Sequence, residues 1–319
     1  MGKIQTVLKW IDSSEVQCAD VHDHLTRKEG KETDMSSSFI LKDADKTAEE
    51  LGMFRDVGGN LIVDAQPLGG RYIENLVEAS KRSGVHVVAS TGFHEEIFYF
   101  NDFWGRYIGL DEIVPLLISE ITEGIEINSY GFCNVKRAAA RAGVCKCAGS
   151  YQVITPEEEK WIRCAALTSS ETGVPVITHT NHGTMGLEML SILKSEGMDL
   201  AHVIMGHLDR NPDLHYILKA ADTGCYIQFD GPSRVKYYPD DVILRLMRQM
   251  ADHGHLDQIL LAGDMGKRVY HKAYGGGPGI EYILKTFVPR MLEEGFTQEE
   301  VDRILRVNPA RALSFYKEA

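Results

Sequence analysis

Residues 174–207 read VPVITHTNHGTMGLEMLSILKSEGMDLAHVIMGH and contain two short apolar runs, VPVIT and HVIMG. Short runs without polar alternation are typical of parallel strands that are covered on both faces. The segment Gly186–Glu196 between them has the character of an amphipathic helix. A strand, a helix and a second strand of this kind make one β/α unit, and a histidine, His179 or His207, stands at the end of each strand.

The same alternation of strand and helix runs along the chain. Eight strands are predicted near Val16–His22, Asn60–Asp64, Val85–Ser90, Gly143–Ala148, Val174–His179, His202–Gly206, Gly224–Asp230 and Gln258–Asp264. Predicted helices include Arg71–Ser83, Pro156–Thr172, Gly186–Glu196, Asp213–Asp222, Asp240–His253 and Gly279–Glu294. The longest irregular stretches are Arg27–Asp45 and His94–Tyr107, and no low-complexity linker divides the chain. The sequence therefore predicts an α/β fold with one domain over residues 1–319, a (β/α)₈ TIM barrel.

Composition excludes several functional classes. The 319 residues include 34 basic and 46 acidic side chains, so the net charge of −12 argues against a protein that binds nucleic acid or membrane surfaces. No apolar run is long enough for a transmembrane helix, and the first residues do not resemble a signal peptide. Six cysteines without a CxxC pair indicate reduced thiols and predict a cytoplasmic location.

Candidate metal ligands stand at the ends of four predicted strands. A TIM barrel places its active site at the C-terminal ends of its strands. The first strand ends in His22-Asp-His24, the fifth in His179, the sixth in His207 and the eighth in Asp264. One histidine at a strand end is more often a hydrogen-bonded loop residue, and the His-x-His pair alone is a weak signal. The combination on one face of the barrel predicts a metal site.

Lys146 lies within the fourth predicted strand, in the sequence Gly-Val-Cys-Lys-Cys-Ala. Cys145 and Cys147 would face the opposite side of the strand, because side chains alternate. Burial of an unpaired lysine lowers its pKa and favours the neutral amine, which can react with carbon dioxide to form a carbamate. The alternative is a lysine that is paired with an acid at the barrel mouth. The pattern alone leaves both interpretations open.

Taken together, these motifs resemble the phosphotriesterase-related family of the amidohydrolase superfamily. The matching features are V-H-D-H-L at Val21–Leu25, Lys146, T-H-T around His179, G-H-x-D-R from Gly206, G-D at Asp264, and Asn308-Pro-Ala-Arg-Ala-Leu. They occur in the family's order over nearly the whole chain. The resemblance implies a (β/α)₈ barrel with a binuclear metal centre at the C-terminal ends of the strands.

The resemblance also implies a role for each ligand. His22, His24 and Asp264 would hold the more buried ion, and His179 and His207 the more exposed one. Lys146, as N6-carboxylysine, and a hydroxide would bridge them. The two ions would be zinc by preference, although manganese, cobalt and iron also suit these nitrogen and oxygen ligands. The bridging hydroxide would attack an electrophilic carbonyl or phosphoryl group, and Asp264 would carry its proton to the leaving alkoxide.

Two basic segments follow the last two predicted strands. Met265–Gly279 contains Lys267, Arg268 and Lys272 and no acid, and Gly231–Tyr238 adds two more basic residues. TIM barrels often bind phosphate in these loops. The segments therefore predict a site for phosphate or another anion. The alternative is a pair of solvated loops that balance the acidic surface.

One branch of the family hydrolyses sugar lactones that carry a phosphate. The chain is similar to that branch at Lys236, Lys267, Arg268 and Tyr270, although the branch usually has arginine at the position of Lys267. The phosphotriesterase branch expects an acid at the position of Arg210, and arginine suits an anionic substrate better. The predicted function is therefore hydrolysis of a lactone, most simply a phosphorylated sugar lactone. The alternatives are hydrolysis of a carboxyl ester, an N-acyl amide or a phosphotriester on the same site, and a metal-binding barrel without turnover.

The predicted partners are a small anionic substrate and a second copy of the chain. Homodimers are implied by the resemblance, since the family is often dimeric. The aromatic stretch His94–Tyr107 follows the third predicted strand and could either line the active site or form the dimer contact. Neither nucleic acid nor a membrane is predicted as a partner.

Overall fold

The computed structural model describes residues 2–131 and 134–317, and its centre is a sheet of eight parallel strands. An antiparallel hairpin of β1 (Lys3–Gln5) and β2 (Trp10–Asp12) precedes them. The parallel strands are β3 (Ala19–Asp23), β4 (Leu61–Asp64), β5 (His86–Gly92), β6 (Ala142–Gly149), β7 (Val176–Thr180), β8 (Val203–Met205), β9 (Tyr226–Phe229) and β10 (Ile259–Leu261). Each pairs with the next along the chain, which gives a nearly closed barrel. The predicted (β/α)₈ barrel and its eight strands are confirmed.

Helices flank the sheet. They are α1 (Lys31–Met35), α2 (Ala44–Asp56), α3 (Ile73–Ser83), α4 (Leu110–Thr122), α5 (Pro156–Thr172), α6 (Gly186–Ser195), α7 (Leu214–Ala221), α8 (Asp240–Met250), α9 (Val288–Glu293), α10 (Gln298–Asp302) and α11 (Asn308–Ala312). Helix α5 matches its predicted bounds because both ends are signalled locally. Thr155 caps its first turn by accepting from the backbone N–H of Glu158, and Gly173 ends it in a left-handed conformation. None of the described helices is long and apolar enough to cross a membrane.

The apolar core has two layers. Alternate residues of the strands, such as Val63, Val144 and Ile177, fill the interior of the barrel. Cys145 and Cys147 point the other way and pack in the layer between the strands and the helices, as the alternation predicts. All five cysteines within the described residues are free thiols, and the sixth, Cys133, lies outside them.

The N-terminal hairpin covers the bottom of the barrel. Ile4 and Ile11 are fully buried with the interior core, and the Val7 N–H donates to the Val87 carbonyl at 2.8 Å. The sequence predicts neither strand, because three residues are too few to show a period. The stretch Arg27–Asp45, predicted to be irregular, contains helix α1 and the start of α2. The hairpin thus lies at the end of the barrel opposite to the strand ends that carry the predicted ligands.

Candidate metal centre

Three of the predicted ligands meet where the first and last barrel strands come together. Ligand atoms of His22 and His24 on β3 and of Asp264 after β10 all lie within 4.8 Å of one another. His24 Nε2 is 3.6 Å from Asp264 Oδ1. The Asp264 N–H donates to the His22 carbonyl at 2.9 Å, which fixes the two strand ends relative to each other. This group has the composition and spacing of a metal site.

His179 and His207 lie beside that group. The centroid of the His207 ring is 5.0 Å from that of His22 and 4.5 Å from that of His179. Their nitrogen atoms nevertheless have different surroundings. His179 Nε2 contacts Glu95 Oε1 at 2.8 Å, whereas His207 groups with Asp230 and Asp264. The structure therefore brings all four predicted histidines together, with the His179 nitrogen turned toward Glu95.

Several buried nitrogen atoms in this cluster lack a hydrogen-bond partner. Within the described residues they are both ring nitrogens of His22 and Nε2 of His207, although both side chains are almost fully buried. A buried polar atom without a partner is costly, and an imidazole nitrogen without one is free to ligate a metal. The unpaired nitrogens and the neighbouring carboxylates fit divalent ions such as zinc, manganese, cobalt or iron.

Lys146 is fully buried on β6, and its Nζ donates to the Ala65 carbonyl at 2.8 Å. Among the described residues it forms no ion pair within 4.0 Å, so the structure does not support the alternative of a lysine paired with an acid. Burial lowers its pKa from 10.5 to about 8, although the charge of Asp264 opposes this shift. A larger share of the amine is therefore neutral at physiological pH than for an exposed lysine.

Burial also determines the protonation of the histidines. It holds the pKa of His22 and His24 well below 6.5 and lowers that of His207 to about 4. Burial alone would raise the pKa of Asp264, but the guanidinium groups of Arg210 and Arg234 hold it well below its usual value. At neutral pH the cluster therefore presents neutral imidazoles and a carboxylate, which are the forms that bind metals.

Two carboxylates that the sequence analysis missed orient the predicted ligands. Asp230 Oδ1 accepts from His207 Nδ1 at 2.6 Å, which leaves Nε2 of that ring for a metal. Glu95 contacts His179 as described, and Asn181 Nδ2 donates to it at 2.8 Å. Asp230 ends the predicted strand Gly224–Asp230, so the rule that found Asp264 also applies to it. Glu95 stands in a loop and gave no such signal.

A cavity of about 220 Å³ lies over the cluster, and His24, His179 and Asp264 form part of its wall. Of the predicted substrate contacts, Arg210, Lys236 and Lys267 also line it. Arg210 is buried and forms ion pairs with Asp230 and Asp264.

The other two predicted contacts do not line this cavity. Arg268 is exposed, and Tyr270 is half-buried with the Arg234 guanidinium 4.4 Å from its ring centroid. Arg234 lines the cavity instead, and so do Arg27, Phe39 and Phe98. Arg27 contacts His24 Nδ1 at 2.9 Å, and nothing in its sequence position indicated this role.

The aromatic stretch His94–Tyr107 packs mainly against the barrel. Tyr99 stacks on Phe103 with ring centroids 4.3 Å apart, and its hydroxyl donates to the Leu68 carbonyl at 3.0 Å. Phe98 lines the cavity, which agrees with the first of the two predicted roles. Tyr107 is 71% exposed, and the role of this stretch in a dimer contact stays a prediction.

Comparison with known proteins places the chain among hydrolases. The model of the phosphotriesterase family matches residues 2–313. The chain belongs to the phosphotriesterase family. The predicted resemblance is thereby confirmed, and the phosphotriesterase-family barrel described above is a hydrolase.

Individual members of the phosphotriesterase family are also similar. A phospho-furanose lactonase from Mycoplasmopsis synoviae is 35% identical over 322 residues, covering 98% of this chain and 91% of the relative. The crystal structure of a lactonase from Listeria monocytogenes superposes with a TM-score of 0.92 at 31% identity, covering 99% of this chain and 100% of that one. The phosphotriesterase homology protein of Escherichia coli, complexed with phosphate in its active site, superposes with a TM-score of 0.86 at 30% identity, covering 95% and 100%.

Proposed function

We propose that this protein is a lactonase that depends on two divalent metal ions and opens a phosphorylated sugar lactone. The charge of the cavity lining supports a narrower substrate class than the family alone implies. Among the described residues, Lys236 and Lys267 form no ion pair within 4.0 Å, yet both line the cavity over the metal ligands. The acids of that cavity have cationic or histidine partners: Glu32 contacts Arg27 at 2.5 Å and Glu95 contacts His179 at 2.8 Å. The two free ammonium groups therefore suit an anionic part of the substrate.

The names of the relatives support the same substrate class. One is described as a phospho-furanose lactonase, and the Escherichia coli relative is complexed with phosphate in its active site. A phosphate near Lys236 and Lys267 would place a small lactone ring within reach of His179 and Asp264. The cavity volume of about 220 Å³ suits a ligand smaller than a drug-sized molecule.

His22, His24 and Asp264 would hold one ion, and His179 and His207 the other. The neutral amine of Lys146 would add carbon dioxide to form a carbamate and supply a further carboxylate ligand. Bound ions of this kind lower the pKa of water to near neutrality and polarise the carbonyl that the water attacks. Asp264 accepts the proton of the attacking water and passes it to the ring oxygen as the ester bond breaks, giving the hydroxy acid. Arg210, whose guanidinium contacts Asp264 Oδ2, orients that carboxylate.

A paired substrate test follows from the two lysines. We expect Lys236→Ala and Lys267→Ala to raise KM for a phosphorylated aldonolactone by about tenfold or more, because each removes a charge-assisted contact. The unphosphorylated lactone should show little change. Hydrolysis can be followed with a pH indicator, and Lys194→Ala on helix α6 provides a control for the loss of a lysine elsewhere.

Three other results would each contradict a different part of the proposed function. If the variants affect both lactones equally, the phosphate contact is rejected while the lactonase remains. If the wild-type protein opens neither lactone but cleaves an N-acyl amide or a phosphotriester, the metal site keeps its role and the substrate class is wrong. Metal analysis of the purified protein should give about two divalent ions per chain, and one or none would contradict the binuclear site.

A further inference from the structure

A second cavity, of about 640 Å³, adjoins the cavity over the metal ligands. Asn181 and Arg210 line both spaces, so the two cavities meet at these side chains. We call the second cavity the neutral groove. Its remaining walls come from the loops after β6, β7, β8 and β9. They are formed by Tyr151, Gln152, His182, Thr184, Asn211 and Tyr238.

The lining of the neutral groove differs chemically from that of its neighbour. Every lining residue has a hydrogen-bonding side chain, none is an acid, and Arg210 is the one lysine or arginine among them. Amide and hydroxyl groups both donate and accept, and tyrosine rings add flat apolar surface. This combination matches a neutral group with many hydroxyls, since an anion would find few cations and a hydrocarbon would leave the polar groups unpaired.

Two residues of the wall have unfavourable backbone conformations. Gln152 (φ 58°) and His182 (φ 51°) lie in the left-handed region although neither is glycine. Such positions persist when their surroundings fix them, and they cluster at ligand sites. Here the Gln152 N–H donates to Thr184 Oγ1 at 2.9 Å, and Thr184 Oγ1 donates to the Asn181 carbonyl at 2.8 Å. These contacts tie the loop after β6 to the loop after β7, so the wall is formed before a ligand arrives.

The volumes of the two cavities also favour a substrate that extends into the neutral groove. The cavity over the metal ligands, at about 220 Å³, is smaller than typical ligand pockets of about 300–1,000 Å³, whereas the neutral groove falls within that range. One phosphorylated ring would occupy the smaller cavity and leave the groove unused. A longer substrate would extend past Asn181 and Arg210, which line both spaces, and enter the groove.

We propose that the neutral groove binds an uncharged, hydroxylated extension of the substrate, such as a second sugar unit, that passes Asn181 and Arg210 from the reacting ester. The inference deepens the proposed lactonase function and rests on it for the position of the ester. Each of the two cavities then binds a different part of the substrate. The cavity over the metal ligands holds the reacting ester and the anion, and the neutral groove holds the neutral sugar.

Binding of maltose, a neutral disaccharide, tests the groove without turnover. We expect saturation-transfer NMR to detect maltose on the wild-type protein, and the double variant Gln152→Ala/Asn211→Ala to weaken the signal about tenfold, since two hydrogen-bonding amides are lost. Gln249→Ala, an exposed amide on helix α8 that lines neither cavity, should bind maltose as the wild type does. Circular dichroism and a melting curve confirm that the double variant is folded. No transfer to the wild type, or an unchanged signal in the double variant, would overturn the proposal.

Turnover of a matched pair separates this inference from the proposed function. Maltobionolactone is gluconolactone with a second sugar, and we expect its kcat/KM to exceed that of gluconolactone about tenfold. The double variant should reduce that preference to about one. Maltose binding without hydrolysis of any lactone would contradict the proposed function and support the groove. Hydrolysis of both lactones at equal rates would reject the groove and leave the lactonase intact.

Discussion

Lys146 is the residue that best tests the two-ion site. Its fully buried amine has a pKa lowered to about 8, and its Nζ contacts a backbone carbonyl rather than an acid. We expect Lys146→Ala to reduce kcat by about a hundredfold or more and to lower the metal content, because the proposed carbamate could no longer form. Acetate or propionate should restore part of both by filling the space left by the side chain.

A lysine outside the site serves as the control. Lys160 on helix α5 is half-buried and, like Lys146, donates to backbone oxygen: its Nζ contacts the Arg106 and Ile108 carbonyls at 3.0 and 3.2 Å. Lys160→Ala should keep its metal, and its activity should not respond to acetate. Full activity of Lys146→Ala would show that no carbamate is needed.

The sequence predicted the ligands but not the residues that orient them. His22, His24 and Asp264 follow from their place at strand ends, and the structure groups them within 4.8 Å. Glu95 and Arg27 stand in loops, and their contacts with His179 and His24 depend on how those loops fold back over the barrel. Their roles appear only in three dimensions.

Among the elements, those with strong local signals were predicted best. Strand β7 begins within the apolar run VPVIT of residues 174–178, and helix α5 has a capping threonine and a terminal glycine. The hairpin of β1 and β2 lacks such signals, because its strands form through pairing with each other and packing under the barrel. Helix α1 has five residues and lies in a loop. Tertiary contacts, rather than local propensity, determine these shorter elements.

The junction between β3 and β10 leads to a stability prediction. Asp23 Oδ1 accepts from the His24 N–H at 2.7 Å and from the Met265 N–H at 3.0 Å, so one buried carboxylate joins the two strand ends. No ladder pairing between β3 and β10 is present among the described residues. We expect Asp23→Ala to lower the free energy of unfolding by about 3 kcal/mol, because two buried N–H groups lose their acceptor.

Urea denaturation of the metal-free protein measures this effect without a contribution from ion binding. The control is Asp199→Ala, which removes a cap at the surface, where Asp199 Oδ1 accepts from the Ala201 N–H at 3.0 Å. It should lower the free energy of unfolding by about 1 kcal/mol. If Asp23→Ala costs no more than this control, the carboxylate does not hold the junction together.

At the scale of the whole molecule, charge is distributed unevenly. The chain has a net charge of −12, yet Arg27, Arg210, Arg234, Lys236 and Lys267 all line the cavity over the metal ligands. The net charge predicts neither nucleic acid nor membrane surfaces as partners, and the composition alone does not indicate this cationic interior. Only the arrangement of the loops at the barrel mouth concentrates these residues in one place.

Removal of the metal ions should destabilise the entire barrel. An ion that binds only the folded state adds about 2.7 kcal/mol of stability at a hundred times its Kd, so two ions add about 5 kcal/mol. For a chain of 319 residues this corresponds to a fall in Tm of about 5–10 °C on treatment with a chelator. Added zinc should reverse the fall. An unchanged Tm would show that the cluster holds no ion that contributes to stability.

The pH dependence of the chelated protein gives a second, independent check. Burial raises the pKa of Asp20, beside the ligands on β3, from 3.8 to about 8. Between these two pKa values the Asp20 carboxyl is therefore protonated in the folded, ion-free protein and ionised in the unfolded chain. The free energy of unfolding consequently falls as the pH rises through that range. The difference in Tm between the metal-loaded and chelated protein should accordingly be larger at pH 8 than at pH 6.

Asp20→Asn should reduce this pH dependence in calorimetry, whereas Asp213→Asn, at the surface cap of helix α7, should leave it as it is. A difference in Tm that stays constant with pH would mean that Asp20 is already ionised in the chelated fold.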